Sequence, residues 1–275
     1  MKYVSFLLAG LLFVVVQPAT AWGVKGHTAI AEIAEANLTP AARKQVQTLL
    51  KNDLDIHGKP TGKTSLASIS IWSDEIRLVA TSTNAYRGWH THANAVCQEK
   101  LASCGQAECV DEKLLHYVTV LKNTKASAHE RNEALKWVVH LVADLHAPLH
   151  SGSHNDGAGQ VPAVLEGGQP YLDSTLHTMW DHDLPDAALH DAPITATRLP
   201  RKKLSQGLVQ QWMEETRQVS RKHVYDPLPG FQCGKPLAGP VVLNRAYQEQ
   251  AMPAIRLQVK RAGLRLAQLL NELLK

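Results

Sequence analysis

The sequence predicts a mainly α protein, a single multi-helix domain over residues 22–275 with at most a short β-hairpin. Three observations predict it. Apolar residues recur at helical spacing in 27–36, 40–51, 65–80, 110–122, 129–147, 204–222 and 245–274. Residues with helix-start and helix-stop chemistry flank several of these segments, and strand signals are thin. At 275 residues, 44% hydrophobic and 20% charged, the chain can bury a sizeable core, which excludes a disordered or low-complexity protein.

Residues 1–21 carry Lys2, an apolar run from Phe6 to Val16 and a closing Ala19-Thr20-Ala21. This pattern predicts a secretory signal cleaved after Ala21, since the run falls short of the ~20 residues that span a bilayer. The mature chain then begins at Trp22, is secreted or periplasmic, and inserts in no membrane. Thr39-Pro40 reads as a cap followed by proline at the first helical position. Ser127 with Glu130 reads as a capping box opening a helix that runs to Ala147 and stops at Pro148. The final helix spaces Leu257, Leu264, Leu266, Leu269, Leu270 and Leu273 mostly along one side, as core packing requires. Segments 160–165 and 169–172 flank Gly167-Gly168 as the possible hairpin, weakened by Pro162 and Pro170. Loops are expected over 148–172 and 223–242. No internal repeat is visible.

A net charge of +4, from 29 Lys+Arg against 25 Asp+Glu, excludes a strongly basic nucleic-acid-coating protein. The four cysteines, Cys97, Cys104, Cys109 and Cys233, contain no C-x-x-C. In an exported chain they favour structural disulfides over a thiolate zinc site, with Cys104–Cys109 and Cys97–Cys233 as the preferred pairs. The 14 histidines are the unusual feature, because imidazole is both a metal ligand and a general acid–base.

The densest constellation is Trp137-Val-Val-His140-Leu-Val-Ala-Asp144-Leu-His146-Ala-Pro-Leu-His150. His140 and Asp144 share a helical face among apolar neighbours, where an ionised carboxylate is costly unless a cation or strong hydrogen bonds neutralise it. His150 returns to the same place from the start of the following loop. His177 and Asp181 repeat the spacing, Asp74 sits in Trp72-Ser-Asp-Glu-Ile-Arg77, His90 and His92 follow Trp89, and His27 lies five residues beyond Trp22. Nitrogen and oxygen ligands without thiolate suit zinc and related ions. H-E-x-x-H, G-x-S-x-G, P-loop and dinucleotide fingerprints are absent.

Trp22-Gly-x-x-Gly-His27, Trp-Ser-Asp-Glu-Ile-Arg (72–77), Trp89-His90, His140-x3-Asp144-x5-His150 and Leu-His-x3-Asp (176–181) together resemble the S1/P1 nuclease family. The resemblance spans the whole mature chain in order. It implies a helical fold of the phospholipase C/P1 nuclease type and three zinc ions in one cleft. Asp74, His90, His140 and Asp144 would hold the first ion, and His150, His177 and Asp181 the second. Trp22, through its α-amino nitrogen and carbonyl oxygen, would hold the third with His27 and a bridging Asp144. That five-membered chelate needs the free amine that signal removal creates. The implied activity is hydrolysis of single-stranded DNA and RNA at the P–O3′ bond, giving 5′-nucleotides, with 3′-nucleotidase activity beside it. A metal-activated hydroxide is the nucleophile, Asp74, Asp144 and His140 are the catalytic residues, and the enzyme is expected to be a monomer.

The family's aromatic-x-Asp/Asn after the Trp-His is replaced here by Thr91-His92-Ala93-Asn94, which leaves Asn94 and His92 as candidates for substrate contact. Asp156, in a Gly- and Ser-containing loop, is a candidate to orient a ligand histidine. Arg77 is expected to pair with a carboxylate, His146 to pack or hydrogen-bond in the core, and His57, His116, His129, His190 and His223 to sit on the surface. His154 and His182 are candidates to touch substrate. The rivals are a zinc phospholipase C, which tends to carry Glu where Asp181 stands, and a non-catalytic secreted zinc-binding protein.

Overall fold

The computed structural model describes residues 22–78, 86–105, 108–168, 174–190, 194 and 206–275. The signal segment 1–21 and the expected strand at 169–172 lie outside the described residues. Helices dominate. The long ones are α1 (Gly23–Ala36), α2 (Pro40–Leu50), α5 (Val110–Lys122), α6 (Ala128–Leu145), α10 (Gln206–Val219) and α11 (Arg245–Leu273). Short helices α3 (Leu66–Ile69), α4 (Trp72–Glu75), α7 (Pro148–Ser151), α8 (Leu176–Thr178) and α9 (Leu184–Ala188) carry much of the site.

The caps are where the sequence puts them. The Thr39 hydroxyl accepts from the Ala42 amide with Pro40 in the first turn, and Ser127 and Glu130 form a reciprocal capping box. Helix α6 is the axis of the fold and is buried from Ala134 to Leu145. It packs on α5 and also meets α2, α4 and α11, while α1 lies along α11. The last two approach so closely that a Cβ on Gly263 would stand 2.6 Å from the Ile33 side chain. Along α11, Leu264, Leu266, Leu269 and Leu270 are buried as expected, but Leu257 is 45% exposed and breaks the stripe.

The structure departs from the periodicity in three places. The segment expected as one helix over 65–80 breaks between α3 and α4, because the Ser70 carbonyl accepts from His140 instead of continuing the helical ladder. The Asp74 amide turns to the Ile71 carbonyl. Pro148 does not simply end α6. It takes the first position of α7, so His150 stands on a helical turn and not in a loop. Residues Met179–Asp183 and Ser220–Tyr225 continue α8 and α10 as wider π-type turns.

Strands are short and parallel. β1 (Asn94–Ala95) pairs with β2 (Gly152–Ser153), and β3 (Ala163–Leu165) pairs with β4 (Val241–Leu243). The 160–165 segment therefore has a parallel partner at the end of the 223–242 loop, across the fold, and Pro162 also forms an antiparallel bridge with Thr175. Disulfides Cys97–Cys233 and Cys104–Cys109 form as preferred. Among the described residues no helix is long and apolar enough to cross a membrane.

Candidate metal centre

Helix α6 delivers His140 and Asp144 into the interior, both fully buried. Around them α4 brings Asp74, a 3-10 turn at Arg87–His90 brings His90, and α1 brings His27. The Asp144 Oδ2 lies 2.9 Å from His90 Nδ1 and 3.2 Å from His140 Nε2. Its other oxygen, Oδ1, faces His27 Nε2 at 3.5 Å. Asp74 closes the group, with Oδ2 3.6 Å from His140 Nε2 and Oδ1 3.8 Å from His90 Nδ1. The His27 ring stacks on His140 at 4.2 Å, and their nitrogens also group with Asp74. Arg77 pairs with Asp74 at 3.2 Å, as expected.

A second buried group forms where α7 meets α8. Asp181 Oδ2 is 3.0 Å from His177 Nε2 and 3.7 Å from His150 Nε2, and the two imidazoles stack. Trp22 is completely buried beside α6, its indole N–H donating to the Ala143 carbonyl at 2.8 Å, one residue before Asp144. Its carbonyl accepts from the Gly26 amide. Gly23 permits this entry: its φ is +55°, and a Cβ there would lie 2.8 Å from His182 Nδ1 and 3.0 Å from the Asp181 carbonyl.

Backbone carbonyls set the protons. His140 Nδ1 donates to Ser70, His150 Nδ1 to the His90 carbonyl, and His177 Nδ1 to Ala158, at 2.7–2.8 Å. A carbonyl only accepts, so each neutral ring carries its proton on Nδ1 and turns the Nε2 lone pair toward a carboxylate. The Ala158 carbonyl is itself held by Asp156. Its carboxylate accepts from the Ser153 hydroxyl, the His154 and Gly159 amides and the Tyr225 hydroxyl, closing a loop in which Asn155, Gly157, Ala158 and Gly159 all have positive φ. Asp156 therefore acts on His177 through the loop backbone and touches no ligand directly.

A divalent cation fits these donors. His27 Nε2, Asp74 Oδ2, Asp144 Oδ1, His150 Nε2 and Asp181 Oδ2 are buried without a hydrogen-bond partner. Leaving buried polar atoms unpaired costs a few kcal/mol each, roughly, and more for ionised ones. Titration points the same way. Burial pushes His27 well below the usual imidazole range, helped by nearby His140, and burial also lowers His90. For His140 burial is opposed and outweighed by Asp144 and Asp74, which raise it to about 9. Burial resists ionisation of Asp144 and Asp181, yet His140 with His90, and His177 with His150, hold both carboxyls below their ordinary value. Ionised carboxylates here demand positive charge at the imidazole nitrogens that face them, Nε2 of His140, His150 and His177 and Nδ1 of His90, where a metal ion would supply it.

The remaining candidates are placed as follows. Asn94 is fully buried, its amide donating to the His92 and Ser151 carbonyls and accepting from Ala102, so it is committed to the fold. His92 bonds Asp111 at 2.9 Å and lines a cavity that none of the nine expected ligands borders. His146 is a buried hydrogen-bonding residue, donating to Val142 and accepting from Arg265. His57, His116, His129 and His190 are exposed, whereas His223 is half-buried against Gln250. His154 packs on Tyr225 and Phe231 and bonds the Lys235 carbonyl. Sequence reasoning missed the three orienting carbonyls, which leave no side-chain signal. The one available hint, for Ala158 alone, was the Gly-rich composition of 152–160.

A helical scaffold that buries ionised carboxylates among inward-facing imidazoles defines a protein with candidate metal-binding groups. The family model for S1/P1 nuclease matches residues 22–275, and the chain belongs to that family. It is 25% identical to Nuclease P1 of Penicillium citrinum over 92% of this chain and 97% of that one. It is 24% identical to Nuclease PA3 of a Penicillium species over 92% and 97%, and 23% identical to Endonuclease 2 of Arabidopsis thaliana over 92% and 90%. The family is metal-dependent, so the chain is a nuclease-type phosphodiester hydrolase whose substrate class is nucleic acid.

Proposed function

We propose that the mature chain, starting at Trp22 and secreted or periplasmic, is a monomeric trinuclear-zinc nuclease. It hydrolyses single-stranded DNA and RNA at the P–O3′ bond to give 5′-nucleotides and removes 3′-phosphates from nucleotides. Asp74, His90, His140 and Asp144 would hold the first zinc, His150, His177 and Asp181 the second, and Trp22 with His27 and Asp144 the third. One observation carries the reading. The two oxygens of Asp144 face different imidazoles, Oδ2 toward His90 and His140 and Oδ1 toward His27, which supports its place in both the first and the third ligand set.

When bound, zinc supplies Lewis acidity toward water and phosphoryl oxygens near neutral pH. The protein supplies orientation. Ser70, His90 and Ala158 lock the ligand tautomers through their carbonyls, and near-complete burial keeps bulk water off the donor atoms. Asp144, Asp74 and His140 act by setting charge and position at the reacting centre. The Trp22 amine is available as a donor only once residue 21 is removed, so the precursor is expected to lack a complete third site.

The test is to incubate the zinc-loaded mature protein with single-stranded RNA and DNA and identify products by mass. Nucleoside 5′-monophosphates, lost in Asp144→Ala with helicity retained, are expected. Nucleoside 3′-monophosphates, or full activity in Asp144→Ala, would overturn the reading. Release of phosphocholine from phosphatidylcholine with no nucleotide formed would replace it with the phospholipase C alternative.

A further inference from the structure

A fourth group of metal-ligand type lies outside the nine residues above. One nitrogen of His92, the Cys109 sulfur and an Asp111 carboxylate oxygen fall within 4.8 Å of one another. Cys109 is bonded to Cys104. The four residues between these cysteines give a C-x4-C spacing, at the upper end of what structural zinc sites use. His92 is 7% exposed, with Nδ1 on Asp111 and Nε2 buried without any partner. His92, Cys104 and Asp111 also border a cavity of about 600 Å³, together with Leu101, Leu115 and Met213. The room needed for two sulfurs to separate is therefore already present.

A sulfur in a disulfide is a poor donor, whereas a thiolate is the preferred ligand of zinc. We infer that opening the Cys104–Cys109 disulfide creates a further zinc-class metal site from Cys104, Cys109, His92 and Asp111. The chemistry balances with a dithiol as reductant. Two electrons pass to the S–S bond, two protein thiols form, and the reductant leaves as its own disulfide. A divalent ion then displaces the two thiol protons and binds both thiolates with the imidazole and the carboxylate. Reoxidation by thiol–disulfide exchange re-forms the bond and expels the ion. The same two sulfurs thus serve either a cross-link or a metal, according to redox state. The His92 amide donates to the carbonyl of His150, so the site backs directly onto the catalytic metal cluster. The inference rests on these four side chains and not on the nuclease reading.

Cobalt(II) is the probe, because thiolate ligation gives a near-ultraviolet charge-transfer absorption that histidine and carboxylate ligands do not. The mature protein is treated with a dithiol, freed of excess reductant under anaerobic conditions and titrated with cobalt(II). Reduced wild type is expected to bind one more equivalent than the oxidised protein, with thiolate absorption. Reduced Cys104→Ser/Cys109→Ser, which still opens Cys97–Cys233, is expected to lack both. Reduced His92→Ala, with all thiols present, is expected to bind that equivalent at least tenfold more weakly. Thiolate absorption that persists in the double serine variant, no absorption in reduced wild type, or loss of helical circular dichroism on reduction would each overturn the inference.

Discussion

Asp156 should govern metal affinity at a distance. It touches none of the nine residues, yet its carboxylate gathers the Ser153 hydroxyl, the Gly159 amide at 2.9 Å and the Tyr225 hydroxyl at 2.9 Å. The loop so fixed presents the Ala158 carbonyl to His177 Nδ1 at 2.7 Å and the Gly159 carbonyl to the His177 amide. Asp156→Asn keeps one acceptor oxygen but removes the charge. Hydrogen bonds to an ionised group contribute about 1.5–3 kcal/mol and neutral ones about 0.5–1.5, so loosening the loop costs on the order of 1–3 kcal/mol. Passed to His177, this corresponds to a loss of about 10- to 100-fold in affinity at the His150, His177 and Asp181 group, the range typical of residues that orient ligands. Tyr225→Phe, which removes one donor, should cost at most about tenfold by the same reasoning. Competition against a chelator measures the affinity, and the visible spectrum of the cobalt-substituted protein reports the geometry. Wild-type affinity at all sites in Asp156→Asn, with an unchanged cobalt spectrum, would refute the argument.

Three further outcomes are expected. Gly23→Ala, with φ +55° and a Cβ 2.8–3.0 Å from His182 and the Asp181 backbone, should lift the start of α1 off the cluster and reduce bound metal by at least one equivalent; unchanged metal content would contradict this. His146 is held neutral by burial and by Arg265, its pKa lowered to about 3. The unfolded chain then binds the extra proton first, so this contribution is complete above pH ~6.5 and is lost at on the order of 1 kcal/mol per unit as pH falls toward 3. His146→Gln should flatten that part of the stability–pH curve, and an unchanged slope in denaturant titrations would count against it. In the chain-entropy model the 136-residue Cys97–Cys233 loop contributes about 5 kcal/mol and the five-residue Cys104–Cys109 loop about 2. The Cys97/Cys233 serine pair should therefore lose about 3 kcal/mol more than the Cys104/Cys109 pair and move the denaturant midpoint correspondingly further, and equal midpoints would contradict it.

Much of this was legible in the chain. The helix-start chemistry at Thr39-Pro40 and at Ser127 with Glu130 is local, so the sequence displays it and the structure repeats it. The His140–Asp144 and His177–Asp181 spacings are legible for the same reason, since four residues on a helix define one face. What could not be read depends on partners remote in sequence. The break after α3 exists because a histidine 70 residues away takes the Ser70 carbonyl. The Ala163–Leu165 strand pairs with Val241–Leu243, far along the chain. Asn94 is a candidate for substrate contact because it stands where the family motif is altered, and its amide hydrogen-bonds inside the fold to partners that the sequence does not display. Asp156 is a candidate to orient a ligand histidine, but one of its partners is not visible from its own loop. Its importance comes from Tyr225, which arrives from the end of α10.

The most direct test of the central claim is anomalous diffraction at the zinc edge from crystals of the mature, zinc-loaded protein. Three anomalous peaks are expected: one within Asp74, His90, His140 and Asp144, one within His150, His177 and Asp181, and one against the Trp22 amine and carbonyl, His27 and Asp144. Peaks at other residues, or a Trp22 amine with no metal against it, would contradict the account.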